Sequence, residues 1–220
     1  MTITTRKAVL SDIPFLVETI IEAEKSGTPI LSYTTIFGLN EEDAKRYIAL
    51  MLEEEIDHCE LSVSAFLVAE QEGKLVGAVC AWIEQFEGVS STALKGNLLR
   101  FTLPQSCFES IQQLNHLIKE LHLEYIPNTI QIGLVYVAEI ARGKGLVQRL
   151  LSEKIRELKS IDSNCTEAYV QVFGHNTPAI KAYEKVGFTT IETKIAKSEE
   201  IVKYLPSSSK IVMKLNLNNT

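Results

Sequence analysis

Cysteine is scarce in this chain of 220 residues, and its four copies, Cys59, Cys80, Cys107 and Cys165, form no C-x-x-C pair and no even framework. That excludes the common zinc and dithiol spacings and a disulfide-stapled scaffold, so free thiols in a reducing compartment and no metal site are expected. Long apolar runs are missing too. Nothing approaches the roughly 20 residues that span a bilayer, and the start lacks a charged segment followed by an apolar core. A cytoplasmic protein with no membrane partner is the expectation. Basic residues are in the minority: 22 Lys and Arg against 28 Asp and Glu give a formal net charge of −6. This balance argues against nucleic acid as a partner and mildly favours a cationic amine. The best-known nucleotide loops are absent as well. Lys144 is followed by Gly145 and Leu146 where a P-loop needs Lys and then Ser or Thr, and Gln148 stands where G-x-G-x-x-G needs its last glycine. No repeat, low-complexity tract or interdomain linker is visible. With 45% hydrophobic residues the chain can bury a proper core as one domain over residues 1–220.

What is present is a glycine-rich basic turn between a strand and a helix. Ile130 to Val137 is rich in β-branched residues, and Leu146, Val147, Leu150, Leu151, Ile155 and Leu158 recur on one helical face. Between them lies Arg142-Gly143-Lys144-Gly145. Glycines let the main chain turn sharply and leave its N–H groups uncovered, and the first turn of a helix has four such groups without an internal partner. Arg142 and Lys144 add positive charge at the positive end of the helix dipole, so a pyrophosphate fits there. The alternative is a basic turn that only joins two elements.

A second strand-like run, Ala168 to Phe173, leads into Gly174-His175-Asn176-Thr177-Pro178 and a short helix ending at Gly187-Phe188. Asn176 or Thr177 can cap that helix, Pro178 suits its first turn and Gly187 its end. Ala179, Ala182, Tyr183 and Val186 share a face, which points Tyr183 inward.

Elsewhere, Thr2 to Val9 reads as a strand, followed by a helix from Ser11, a loop from Ser26 to Leu39, and a helix capped by Asn40. Ala65 to Glu70 and Leu75 to Ile83 form a hairpin through Gly73. Residues from about 85 to 129 contain a helix around Phe108, Ile111, Leu114, Leu117, Ile118 and Leu121, and Thr189 to Lys194 and Ile211 to Leu217 read as closing strands.

Together the two blocks resemble the GNAT superfamily of N-acetyltransferases. Arg142, Gly145 and their neighbours match its [QR]-x-x-G-x-[GA] signature, with Val147 where Gly or Ala is usual. Asn176, Ala179, Tyr183, Gly187 and Phe188 fill N-x-x-A-x-x-x-Y-x-x-x-G-F. The resemblance implies an α/β (α+β) fold: a central mixed, mostly antiparallel twisted sheet of about six or seven strands flanked by helices, with acyl-CoA at a splay between strands 4 and 5. The segment from about 85 to 129 becomes a partly helical insertion near the acceptor side.

The implied activity is transfer of an acetyl group from acetyl-CoA, the cosubstrate, to a primary amine of a small molecule by direct attack. Val135, Tyr136 and Val137 would hold the pantetheine arm, with the Val137 N–H polarising the thioester. Arg142, Gly143, Lys144, Gly145, Leu146 and Val147 would cradle the pyrophosphate. Tyr183 is the implied general acid, and Asn176 a helix cap that also touches the cofactor. The family's histone-acetylating branch has a Glu where this chain has Gln131, so Glu84, just beyond the third strand, is expected as the general base, ahead of Glu87 and Glu124. Tyr33, Thr34, Thr35, Trp82 and Phe86 are candidates for an acceptor wall. A homodimer through the late strands is implied as well. A different class of protein, a non-catalytic acyl-CoA sensor, is consistent with Val147 and Gln131, whereas Asn176 and Tyr183 favour the enzyme.

Overall fold

A computed structural model describes residues 2–218. Its centre is one seven-stranded sheet in the order β1-β2-β3-β4-β5-β7-β6, with β1 Ile3–Lys7, β2 Phe66–Gln71, β3 Lys74–Ile83, β4 Ile130–Val137, β5 Glu167–Phe173, β6 Thr189–Ile195 and β7 Ser209–Asn216. Every neighbouring pair is antiparallel except β4 and β5. A parallel pair needs a crossover, and the helix α6, Leu146–Ile161, supplies it. This is the expected mixed, mostly antiparallel sheet.

Both faces are covered, so the central strands are apolar on alternate sides. One face carries α6 and α7, Thr177–Val186, over a core that includes Val79, Ile132, Leu150, Val170 and Met213. The other carries α1, Ile13–Lys25, and α3, Glu41–Glu53, over Leu16, Ile48, Phe66, Ala78 and Trp82. Gly77 permits the first packing, since a Cβ there would sit 3.2 Å from the Leu146 side chain. The Asn40 carboxamide accepts from the Asp43 N–H at 2.8 Å and starts α3, as its sequence position suggests. Gly73 turns the β2–β3 hairpin at φ +75°.

Two helices were not legible. The stretch read as a loop holds one turn, α2, Ser32–Thr35, too short to show a period. The stretch before Phe108 holds α4, Ser91–Thr102, where only Ser91 and Leu98 are buried, leaving little apolar stripe to read. The expected helix of that region is α5, Gln105–Ile118. No helix among the described residues is long and apolar enough to cross a membrane.

Candidate active site

β4 and β5 pair over only three residues each, Ile130–Ile132 with Ala168–Val170, and then part. A bulge drives the separation. Against β3, Cys80 faces Leu134 while Ala81 faces Ile132, so Gly133 is an extra residue in β4, and such a residue bends its strand. Only glycine fits there, because a Cβ would lie 2.6 Å from the Trp82 ring. The indole is fixed in turn by its N–H to Glu84 Oε2 at 2.9 Å and by an edge-on contact with Tyr125.

Above the bulge one edge of β4 is open. The Ala138 N–H bonds to Val76 O on the β3 side, so the peptide alternation turns the N–H and C=O of Val137, and of Val135 two residues earlier, toward the gap. Arg142 Nε donates to the Val137 carbonyl at 3.0 Å, folding the turn back on the strand end. Gly143 and Gly145 lie at φ +75° and +72°, left-handed values that disfavour a side chain. Gly145 stands immediately before α6, so the first N–H groups of a 16-residue helix face the turn. A Cβ on Gly143 would meet nothing within 4 Å, leaving open space above the loop for a phosphate-bearing ligand.

The gap opens into a cleft of about 1250 Å³ that passes through the sheet. One half is lined by Val135, Tyr136, Val137, Arg142, Gly143, Gly145, Leu146 and Val147 together with Asn176 and Tyr183, which is the set expected for the cofactor apart from Lys144. The Lys144 side chain is exposed and off the wall. Val147 packs its branched side chain against the core and keeps its main-chain N–H, so the departure from Gly or Ala changes packing and not donor count.

Tyr183 is buried against Phe188, yet no hydrogen bond among the described residues acts on its hydroxyl. Burial pushes its ionisation well up, so the phenol remains a proton donor at neutral pH. Asn176 has two structural duties. Its Oδ1 accepts from Ala179 N at 3.2 Å, capping α7, and its Nδ2 donates to Ser26 Oγ at 2.7 Å. One hydrogen and one lone pair of the amide are left for a bound group.

Glu84, the residue expected as base, stands apart from the large cleft. It is buried, and its carboxylate accepts from Trp82 Nε1, from Ser91 N at 3.2 Å and from Ser91 Oγ. It anchors Trp82 and the start of α4. Gln131 is likewise buried, its amide given to Thr129 Oγ1 at 2.7 Å. The aromatics expected at an acceptor wall are engaged in packing off the large cleft: Tyr33 stacks on Phe37, Phe86 meets His58 at a tilt, and Trp82 fills the bulge.

The second half of the cleft has a wall that sequence reasoning missed. Glu24, Glu60, Lys95, Tyr125, Gln171 and Lys210 line it, from α1, the loop before β2, α4, the loop before β4, β5 and β7. Glu60 is joined to Lys95 by an ion pair and accepts from Tyr125 Oη at 3.2 Å. Burial works against the Lys95 charge, but Glu60 beside it holds the ammonium well above its usual range. A lone Glu between Cys59 and Leu61 carries no signal of this; only the folded chain brings the partners together.

This half is roofed. Glu120 Oε2, just past α5, accepts from the N–H groups of Lys197 and Ser198 at 2.6 and 2.9 Å, and Lys194 Nζ donates to His122 O at 2.6 Å. Thr35 Oγ1 donates to Tyr204 O at 2.7 Å from the other side.

The Acetyltransferase (GNAT) family model matches residues 32–188. The chain belongs to the GNAT acetyltransferase family. A curated relative, an N-alpha-acetyltransferase of Sulfurisphaera tokodaii, is 27% identical over 137 residues, 62% of this chain, and the match covers 64% of that relative, under two thirds of its length. Among solved structures, an N-acetyltransferase from Staphylococcus aureus Mu50 superposes with a TM-score of 0.67 at 16% identity, covering 96% of this chain and 100% of that one. The PaiA N-acetyltransferase of Thermoplasma acidophilum in complex with coenzyme A has a TM-score of 0.52 at 16% identity, with 98% and 99% covered. The last two show the fold: a GNAT sheet parted between β4 and β5.

Proposed function

We propose that the chain is an acyl-CoA-dependent N-acetyltransferase that acetylates the primary amine of a small molecule. The observation that carries this reading is the coincidence, in one cleft, of the open β4 edge, the Gly143–Gly145 turn and a Tyr183 hydroxyl on which no hydrogen bond among the described residues acts. Acetyl-CoA supplies the activated acyl carbonyl. Val135 and Val137 hold the pantetheine arm as one strand holds another, and the Val137 N–H is the donor for the acyl oxygen. The turn at Gly143 to Val147 takes the pyrophosphate on main-chain N–H groups.

Proton traffic falls to two side chains. Glu24 lines the acceptor half with Oε2 accepting from Ser32 Oγ at 2.8 Å and Oε1 without a hydrogen-bond partner among the described residues. It replaces Glu84 as the general base that takes the amine proton. Glu60 is less suited, since Lys95 and Tyr125 hold its two oxygens. Tyr183 gives its proton to the departing thiolate and is reprotonated from solvent. The roof over the acceptor half favours a small acceptor, because a long peptide needs an open groove. The exposed β6 edge, with Ile191 and Ile195, is where the implied homodimer would form.

The test is thiol release from acetyl-CoA with a panel of small amines and amino acids, with CoA binding by calorimetry as control. Acceptor-dependent release that drops in Glu24→Gln, with CoA binding retained, is expected. CoA binding with no release from any acceptor would favour the non-catalytic acyl-CoA-binding module, and failure to bind CoA would reject both.

A further inference from the structure

The wall of Glu24, Glu60, Lys95 and Lys210 holds two carboxylates and two ammonium groups, yet only one ion pair joins them. Glu60 and Lys95 are joined directly. Lys210 has no carboxylate within 4.0 Å and donates no hydrogen bond among the described residues; its nearest defined contact is the face of Phe173, 5.8 Å from the ring centre. Glu24, on the same walls, leaves one oxygen unused. The two are aware of each other nonetheless. Of the charged groups acting on Lys210, Glu24 comes first, ahead of Lys95, Glu60 and Lys194, while burial itself works against the ammonium.

Lys210 is half-buried, and taking an ammonium even partly from water without a partner is unfavourable unless a ligand completes the pair. A group that offered only an amine would satisfy Glu24 and leave Lys210 unmet. A group that offered only an acid would do the reverse. We propose that the acceptor is a zwitterion of the amino acid type, lying between the two side chains with its carboxylate on Lys210 and its amino group toward Glu24. This rests on the acetyltransferase reading above and names the substrate class of the same site. A carboxylate is preferred to a phosphate because a single ammonium balances a monoanion, and the nearby Glu24 and Glu60 would repel a dianion. Phe173 adds an apolar floor beside Lys210 for the acceptor's carbon chain.

Product binding tests the proposal without requiring turnover. The probes are N-acetylated amino acids of graded chain length, from N-acetylglycine upward, each paired with its primary amide and titrated by calorimetry into the CoA-saturated protein. The acids are expected to bind about tenfold or more tightly than the amides. Lys210→Met and, as a second uncharged variant, Lys210→Gln should erase that difference, and Lys210→Arg should keep it; thermal unfolding shows which variants are folded. Equal binding of acids and amides, tighter binding of the amides, no binding of any acid, or an acid preference that survives loss of the Lys210 charge would each overturn the proposal. Absence of CoA binding would instead reject the acetyltransferase reading, and the same titration on the protein without CoA would still decide whether Lys210 is an acid seat.

Discussion

The two halves of the cleft are built in opposite ways. The cofactor half draws on two short stretches, residues 133–147 and 173–183, and its polar groups are main-chain N–H groups, a helix start and exposed basic side chains. The acceptor half draws on side chains at positions 24, 60, 95, 125, 171 and 210, brought together from six elements, and its charges are buried or half-buried. The first arrangement binds a phosphate-bearing group by using backbone donors that any helix start leaves over, at little cost to stability. The second must hold charges away from water, so the chain loses stability there unless each is answered. On the acetyltransferase reading proposed above, a local motif meets the common cosubstrate and discrimination between acceptors is left to long-range packing.

The largest effect expected of a single atom is in the cofactor half. Tyr183→Phe should lower turnover by about 100-fold, the range for loss of a positioned proton donor, while leaving CoA affinity and thermal stability nearly unchanged, because no hydrogen bond among the described residues holds the hydroxyl. Steady-state thiol release, calorimetry and a melting curve check the three parts. An unchanged rate with a competent acceptor would remove Tyr183 from the chemistry, and a large fall in melting temperature would make it a core residue.

Next in size is the closed pair. Glu60→Gln leaves Lys95 partly buried and unanswered, and a loss of about 2–3 kcal/mol is expected, less than for a fully enclosed pair because Lys95 retains some solvent contact. For a chain of this size that is roughly 5–10 °C in melting temperature. Lys144→Ala, its counterpart on the exposed turn, should stay within about 0.5 kcal/mol. Equal losses would show that the two halves do not differ in how they hold charge.

This difference also explains what could be read without a structure. The sheet's strands, the Asn40 cap, the Gly73 hairpin and the whole of the glycine turn rest on local signals of period, capping and backbone freedom, and they lie where the sequence puts them. Tyr183 and Asn176 belong to the same class, since the spacing of α7 fixes which way they face. For Glu84, proximity to the end of β3 says nothing of what the carboxylate will bond to, and in the folded chain Trp82 and Ser91 engage it. Glu24, Glu60 and Lys210 carried no signal at all. Each is an ordinary charged residue in its own neighbourhood and becomes part of a site through contacts across the fold.

The effect expected at Lys210 is smaller than that at Glu60 and has the opposite sign. Lys210 is held in the chamber without a partner, so Lys210→Met should stabilise the free protein, by about 1 kcal/mol, even as it removes the acid seat. The pH dependence gives this a signature. Burial holds the folded-state ionisation of Lys210 below the ordinary 10.5, against which Glu24 and Glu60 act only in part and to which Lys95 and Lys194 add. Folding therefore opposes this proton: the penalty is complete at pH values below the lowered folded value and fades as pH rises through it toward 10.5. The variant's advantage in denaturant titrations should be greatest at neutral pH and shrink as pH rises toward 10.5. An N-acetylated amino acid at saturating concentration should narrow the gap in the same way at neutral pH, because it answers the ammonium in the wild-type chain and finds no charge in the variant. A variant less stable than the wild type throughout would mean that the lysine stem packs the chamber wall, and that its charge is already met by Glu24 across the cleft.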